Sequence, residues 1–377
     1  ELIVSPGIAP TEPWLEQAVE AGAALCGDID LFVAAARAPV IGITGSNAKS
    51  TVTALVGEMA RAAGLRAGVG GNLGTPALDL LDDGTQLYVL ELSSFQLERA
   101  GELGLAVATV LNLTADHLDR HGSMPRYHAA KHRIFNGCRR VVVNSDDPLT
   151  IPPLVDDRRV ITWRMREPDL QGFGLREEDG VVMLAEGFEL LMPAADVALP
   201  GRHNLANALA ALAIGRAAEL PREAMLEALR TFRGLPHRCE RVASADGIDW
   251  INDSKATNVG AALAAIEGLG SERRLVLIAG GRDKGADFAQ LRAGVEKACD
   301  RVLFIGEAAD ALAQALDGAC AIEVVGDLDA AVARAAAIVT RGQAVLLSPA
   351  CASFDQFRSY EARGDAFRVA VARELGA

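Results

Sequence analysis

The sequence predicts an α/β protein: a central, mainly parallel sheet that carries a phosphate-type loop, followed by a second α/β domain. Three observations carry that prediction. Continuous apolar runs alternate with helix-length amphipathic segments, the pattern of parallel strands covered on both faces. One such run, "VIGIT" (40–44), enters a short polar loop and then a helical segment, "STVTALVGEMARAAG" (50–64). The chain has 377 residues, more than one ordinary core holds, so two or three domains are expected.

In chain order, "LIVS" reads as a short strand entering a Ser-Pro-Gly turn. A strand at the first residue suggests a chain cut inside a domain. The start has no basic segment and no cleavage site, so it is not a signal peptide. Strands are expected at 38–44, 87–93, 107–113 and 140–145. Residues 150–200 read as short antiparallel strands joined by turns, and 203–220 as an Ala-rich helix. "FRGLPHR" (232–238), broken by Gly and Pro, is the candidate linker. A hairpin around Asp246-Gly247 follows. Strand–helix alternation then resumes at 274–281, 301–306, 322–326 and 344–350, enough for a second α/β domain.

Half of the residues are hydrophobic and 23% are charged, as in a soluble globular protein. The net charge of −13 argues against general nucleic-acid binding. No apolar run approaches the ~20 residues that span a bilayer. The six cysteines are scattered without paired spacing, against a metal cluster or disulfide framework and in keeping with a reducing cytoplasm.

In "GITGSNAKST", Gly45 opens the loop, Ser46 and Asn47 form it, and Lys49 closes it. Ser50 and Thr51 begin the helix. Such a segment aims backbone N–H groups and a helix N-terminus at an anion. Lys49 would neutralise β- and γ-phosphate oxygens, and a Ser50 or Thr51 hydroxyl would ligate Mg²⁺. The fit to the phosphate-loop pattern is incomplete: its two glycines fall at Ile43 and Ala48. A plain strand–turn–helix with a surface lysine fits the loop equally well. Glu91, at the end of the next strand, shifts the balance towards nucleotide–Mg²⁺ binding. Ala48 leaves two possibilities: a left-handed backbone that alanine strains, or a right-handed one in which only its methyl crowds the phosphates.

Residues 112–135 hold Asp116, His117, Asp119, His121, His128, Lys131 and His132. A structural zinc site and a solvated polar segment both fit that composition, although no cysteine pair or metalloprotease helix accompanies it.

"TGSNAKST", "GGNLGTPAL", "LELSSFQLE", "LNLTADHLDRHGS", "AAKHRIF", "GRHNLANALAA", "GLPHRCE", "INDSKATN" and "SPACASFDQF" occur in that order over the whole chain. Together they resemble the Mur ligases, amide-forming enzymes of peptidoglycan precursor synthesis, and most of all the branch that adds D-glutamate. The resemblance implies a central P-loop-type ATPase domain (28–234) and a Rossmann-like C-terminal domain that brings the amino acid (235–377). It makes residues 1–27 the tail of an incomplete N-terminal Rossmann-like domain for the UDP end of the substrate.

The activity implied is ATP-dependent joining of D-glutamate to UDP-N-acetylmuramoyl-L-alanine through an acyl phosphate, by a cytoplasmic monomer with no membrane or nucleic-acid partner. Two Mg²⁺ ions are implied. Ser50 or Thr51 with Glu91 would hold the first. His117 matches a ligand of the second, and Lys131 matches a lysine carbamylated in the family. Ser5, Pro6 and Gly7 would be the surviving substrate turn, and Asn72, Ser93 and Gln96 match contacts to the muramoyl-alanyl end. Asn204 and Asn207, one helical turn apart, match adenine contacts; a helix N-cap with one solvated asparagine is the plainer alternative. Arg238, Asp253 and Lys255 match contacts to the ATP ribose and phosphates, so ATP is expected to be gripped by two domains. Thr257, Lys284, Ser353 and Tyr360 match the glutamate-binding positions.

Two other functions remain open on the residues: a related ligase adding L-glutamate or another amino acid, and a nucleotide-binding module without turnover, motivated by Ala48 and the missing N-terminal domain.

Overall fold

The computed structural model describes residues 1–152, 160–271 and 273–376, without the side chain of Asp119. These residues divide into two compact units: Glu1–Ala198 with Leu205–Phe232, and Leu199–Asn204 with Arg233–Ala377.

The first unit is built on a nine-stranded sheet. Its centre is the strand Val40–Thr44, buried at every position, between Leu87–Glu91 and Val107–Val110. Ala67–Gly71 lies outside Leu87–Glu91. On the other side come Arg140–Asn144, Val160–Trp163 and Phe173–Glu178, all these pairings being parallel. Val181–Glu186 and Glu189–Pro193 add antiparallel pairs at that edge, so the short strands expected over 150–200 extend the main sheet. Apolar runs buried on both faces need helical cover. The helix Lys49–Ala62 supplies part of it, packing so closely that a Cβ on Gly57 would stand 2.6 Å from a Val69 methyl. On the other face Phe32, Tyr88, Leu97, Leu105 and Ile134 share one core cluster.

Leu2–Ile3 and Leu25–Cys26 form a separate parallel pair, with the turn expected at Ser5–Gly7 between them.

The second unit has a six-stranded sheet. Glu240–Ala245 and Ile248–Asn252 form the hairpin at its edge, turning at Asp246 and Gly247, both with positive φ (53° and 77°). Ala344–Leu347, Leu275–Gly280, Cys299–Ile305 and Ala321–Gly326 follow in parallel. In a parallel sheet the loops at the carboxyl ends of the strands form the usual ligand crevice. The expected sites at Asp253–Lys255 and Ser353 follow two of those ends.

Candidate active site

The phosphate loop is braced from behind. Thr44 ends the central strand and donates its hydroxyl to the Leu92 carbonyl at 2.7 Å. Gly45 turns with φ 156°, where a Cβ would meet Leu111 at 3.1 Å, so glycine is needed there. The Ser46 hydroxyl lies 2.9 Å from the Thr114 carbonyl and 3.0 Å from the Tyr127 hydroxyl. Asn112 accepts from the Asn47 N–H at 2.8 Å and returns its amide to the Asn47 carbonyl at 3.2 Å. Lys49 folds over the loop, its Nζ 2.9 Å from the Gly45 carbonyl and 3.0 Å from that of Ser46. No side chain caps the helix Lys49–Ala62. The first N–H groups of a helix lack intrahelical acceptors, so an uncapped first turn suits an anion.

Ala48 is left-handed, with φ 67° and ψ −10°. Of the two possibilities for this residue, the strained one is observed. The conformation costs alanine roughly 1–2 kcal/mol that glycine would not bear.

Glu91 is 3% exposed at the end of its strand. One carboxylate oxygen accepts a short hydrogen bond from the Ser50 hydroxyl; the other accepts from the Asn72 amide at 2.7 Å. Thr51 is buried beside Ser50. An acid facing a helix-start hydroxyl is a hard-oxygen pair suited to Mg²⁺, which takes few protein ligands and fills the rest with phosphate and water. The donor set therefore fits that ion.

Lys131 is 2% exposed, yet its Nζ donates to the Gly45 carbonyl at 2.9 Å and to the Thr44 hydroxyl at 3.2 Å. Burial, and then the charge of Lys49, push this amine well below the usual lysine range. His117 has a left-handed backbone (φ 52°), and its ring sits 3.6 Å from Asp116 and edge-on to Phe95. The other three histidines of residues 112–135 have neighbours of their own. His121 is buried against Ser94 at 3.0 Å, and His128 stacks on His132, which lies 2.8 Å from the Leu149 carbonyl. Among the described residues no group of three His, Cys, Asp or Glu could hold a metal, which leaves the zinc alternative without a ligand set.

Pro6, Lys49, Asn72, Ser93, Gln96, Asp116, His117 and Lys131 line one pocket of about 430 Å³. Residues named from the phosphate loop thus share a cavity with those named for the acceptor. Ser93 and Gln96 also cap each other at the start of the short helix Ser94–Leu97. Asn204 and Asn207 are both buried, so neither is the solvated asparagine of the plainer alternative; Asn204 donates to the Pro200 carbonyl at 2.6 Å.

In the second unit Asp253 is buried. It accepts from the Ser348 hydroxyl at 2.8 Å and the Cys239 N–H at 3.2 Å, and burial raises its carboxyl to about 7. Lys255 Nζ stands 3.8 Å above the Tyr360 ring. Ser353 is buried, with its carbonyl accepting from Phe357 at 2.8 Å; Thr257 and Arg238 are half-buried, and Lys284 is exposed.

Sequence reasoning passed over Tyr127, Asn112 and Arg363. Tyr127 lies one turn before Lys131 on the same helix, a spacing that flags it. Arg363 is 1% exposed and donates to Ser254 Oγ at 2.9 Å, to the Ser254 carbonyl at 2.8 Å, and to the Cys351 carbonyl at 3.2 Å. Nothing in the order of residues marks it.

A buried parallel strand running through a braced loop into an uncapped helix, with a strand-end acid beside the first hydroxyl, defines a phosphate-loop nucleotide-binding protein. Residues 43–215 match the Mur ligase middle domain, and 237–351 match the Mur ligase glutamate ligase domain. The chain is 58% identical over 373 residues to UDP-N-acetylmuramoylalanine–D-glutamate ligase of Pseudomonas syringae pv. tomato, covering 98% of this chain and 83% of that protein. Identity to the enzyme of the same name from Pseudomonas aeruginosa is 55%, with the same coverage of each. UDP-N-acetylmuramate–alanine ligase of Thermotoga maritima shares the fold: TM-score 0.67 at 18% identity, over 99% of this chain and 85% of that one. The chain belongs to the Mur ligase family, ATP-dependent amide ligases that form ADP.

Two outcomes are expected. Ala48→Gly relieves the left-handed strain against a smaller entropic loss, and raises stability by about 0.5–1 kcal/mol. Urea unfolding at constant m-value reads this, and no gain would place the strain elsewhere. For Asp253, a folded-state value above the unfolded 3.8 means that the folded protein binds the extra proton. Its contribution is fully present below about pH 4 and is lost as pH rises through about 7. Asp253→Asn should flatten the stability profile over that window; an unchanged slope would assign the titration to another group.

Proposed function

We infer that this chain joins D-glutamate to UDP-N-acetylmuramoyl-L-alanine at the expense of ATP, in peptidoglycan precursor synthesis. The observation that carries the mechanism is the shared pocket: Lys49 of the phosphate loop faces the same cavity as Asn72, Ser93, Gln96 and His117. The alanyl carboxylate is a poor acyl donor because its leaving group would be oxide. Attack on the γ-phosphoryl of ATP gives an acyl phosphate and ADP. The glutamate amine then adds to the acyl carbon, and phosphate leaves. Both steps gather negative charge, so the site needs cations and fixed donors more than a nucleophilic side chain.

Lys49 and the uncapped helix end would hold the β- and γ-phosphates. Ser50, Thr51 and Glu91, with His117 and Lys131, would hold Mg²⁺, which supplies charge neutralisation between phosphate and carboxylate. Asn72, already bonded to Glu91, would tie the acceptor end to that acid. Arg238, Asp253 and Lys255 would serve the nucleotide, as would Asn204 and Asn207. Thr257, Lys284, Ser353 and Tyr360 would serve glutamate. Lys131 is also the residue for carbamylation: burial favours its neutral amine, the form that adds to CO₂. The carbamate would put an anion suited to a metal where the buried amine stands.

ADP formation and phosphate release should require D-glutamate and the UDP-muramoyl-alanine acceptor together. Turnover of L-glutamate alone from an amino-acid panel would sink this reading. ATP binding without turnover would favour a nucleotide-binding module. Separately, protein equilibrated with ¹³C-bicarbonate should show a carbamate carbon signal that Lys131→Arg removes; a signal equal in both proteins would rule out Lys131 as its site.

A further inference from the structure

The turn Ser5–Ile8 is held almost entirely by its carbonyls, and two arginines hold them. Arg99, 7% exposed, donates Nη1 to the Ser5 carbonyl at 2.7 Å. Arg120 spreads one guanidinium over the next three. Its Nη2 reaches the Pro6 carbonyl at 3.3 Å and that of Ile8 at 2.8 Å, while its Nη1 reaches that of Gly7 at 3.3 Å. The same fork grips Glu98 Oε2 through Nε at 3.3 Å and Nη2 at 3.0 Å. Its Cζ lies 4.9 Å from the centre of the Phe95 ring. Phe95 in turn meets the His117 ring at 5.0 Å, and Pro6, Phe95 and His117 all face the pocket.

We propose that Arg120 is a positioning residue for the acceptor end of the site. It fixes the Pro6 wall of the pocket against the Phe95–His117 wall, so the space for the UDP-sugar acceptor is formed before binding. Preformed walls spare the ordering cost of binding. The proposal rests on the function above for the identity of the ligand. Its geometry is independent of ATP: the phosphate loop hangs on Asn112, Thr114, Tyr127 and Lys131, and Arg120 bonds to none of these. Loss of Arg120 should therefore fall on one substrate. Only a planar fork with five N–H donors spans three carbonyls and a carboxylate; a lysine ammonium is a single point with three donors and cannot.

The test is steady-state kinetics of the whole protein with Arg120→Lys and Arg120→Ala. Both variants should raise KM for UDP-N-acetylmuramoyl-L-alanine about tenfold, the loss of one to two charge-assisted hydrogen bonds. The kcat and the KM for ATP should stay within about twofold of wild type, a split that a general loss of structure would not give. If Arg120 acted only by steering an anionic substrate, lysine would restore KM and the alanine defect would vanish in high salt; either result overturns the proposal.

Amide exchange reads the clamp without turnover. The Ile8 N–H, bonded to the Ser5 carbonyl at 3.1 Å, should exchange at least several-fold faster in Arg120→Lys, and an unchanged rate overturns the proposal. If exchange responds while wild type turns over no acceptor, the proposed activity fails and the clamp stands. Should Arg120→Ala not fold, Glu98→Gln loosens the same fork and should shift KM for the acceptor alone, by a smaller factor. No shift in that variant counts against the proposal.

Discussion

The site depends on one buried contact, that of the Lys131 amine with the Gly45 carbonyl. Gly45 is where the central strand must stop being a strand, and its carbonyl accepts from Lys131 at 2.9 Å and Lys49 at 2.9 Å. Drawing that carbonyl back against two amines sets the turn. Ser46 and Asn47 are then fixed by Thr114, Tyr127 and Asn112, and the helix begins at Lys49 with its first turn uncapped. A permanently charged lysine at 2% exposure would cost several kcal/mol in desolvation. The lowered affinity of this amine for its proton lets the buried group remain a donor without carrying the full charge. The feature that shapes the loop thereby also makes Lys131 chemically unlike a surface lysine.

Most of the architecture was legible because parallel strands announce themselves. Val40–Thr44, Leu87–Glu91, Leu275–Gly280 and Ala344–Leu347 are continuous apolar runs, and continuity is what burial on both faces demands. The Asp246–Gly247 hairpin was legible for a separate reason: the turn needs positive φ twice, and those residue types tolerate it. The antiparallel strands after residue 170 were visible as strands but not as the edge of the main sheet. Strand pattern tells which face is apolar and not which neighbour is paired. Of the site, Lys49 and Glu91 could be picked out because charged residues at a loop end or strand end stand out locally, whereas His117 and Lys131 were singled out within their polar cluster only by the resemblance to the Mur ligases. The handedness of Ala48 could not be, since alanine has no preference for the left-handed region that would advertise it; its φ is imposed by the bracing on both sides.

Three of the residues that sequence reasoning did not supply share a chemistry. Arg120, Arg99 and Arg363 all donate to main-chain carbonyls, which every residue carries, so those partners do not betray them. Each gathers loop segments far apart in the chain: Arg120 the turn at 6–8, Arg363 the segments at Ser254 and Cys351. Around Arg363 the backbone is itself strained, with His237, Cys239 and Ala350 at φ 63°, 46° and 58°. Non-glycine residues hold such angles only where surrounding contacts over-determine them, at about 1–3 kcal/mol each. A guanidinium with five directed donors is well suited to that task; it fixes several carbonyls at once and cannot lose its proton to relieve its own burial.

That arrangement also lets Arg363 be buried with Ser254 and carbonyl oxygens as its hydrogen-bond acceptors. Burial lowers its proton affinity only to about 10. At neutral pH it stays charged, with carbonyl dipoles doing the solvating that water would do elsewhere. Carbonyl solvation leaves the Arg363 charge behind the Ser254 and Cys351 loops, with Asp355 and Asp253 acting on it. Those loops adjoin Lys255 and Ser353, where the ligands inferred for this unit are anions. A charge that is expensive to bury and conformationally fixed therefore serves loop geometry and also sets one positive charge beside those loops. Replacing it with an apolar side chain of similar volume could keep the packing but would remove the second property along with the first.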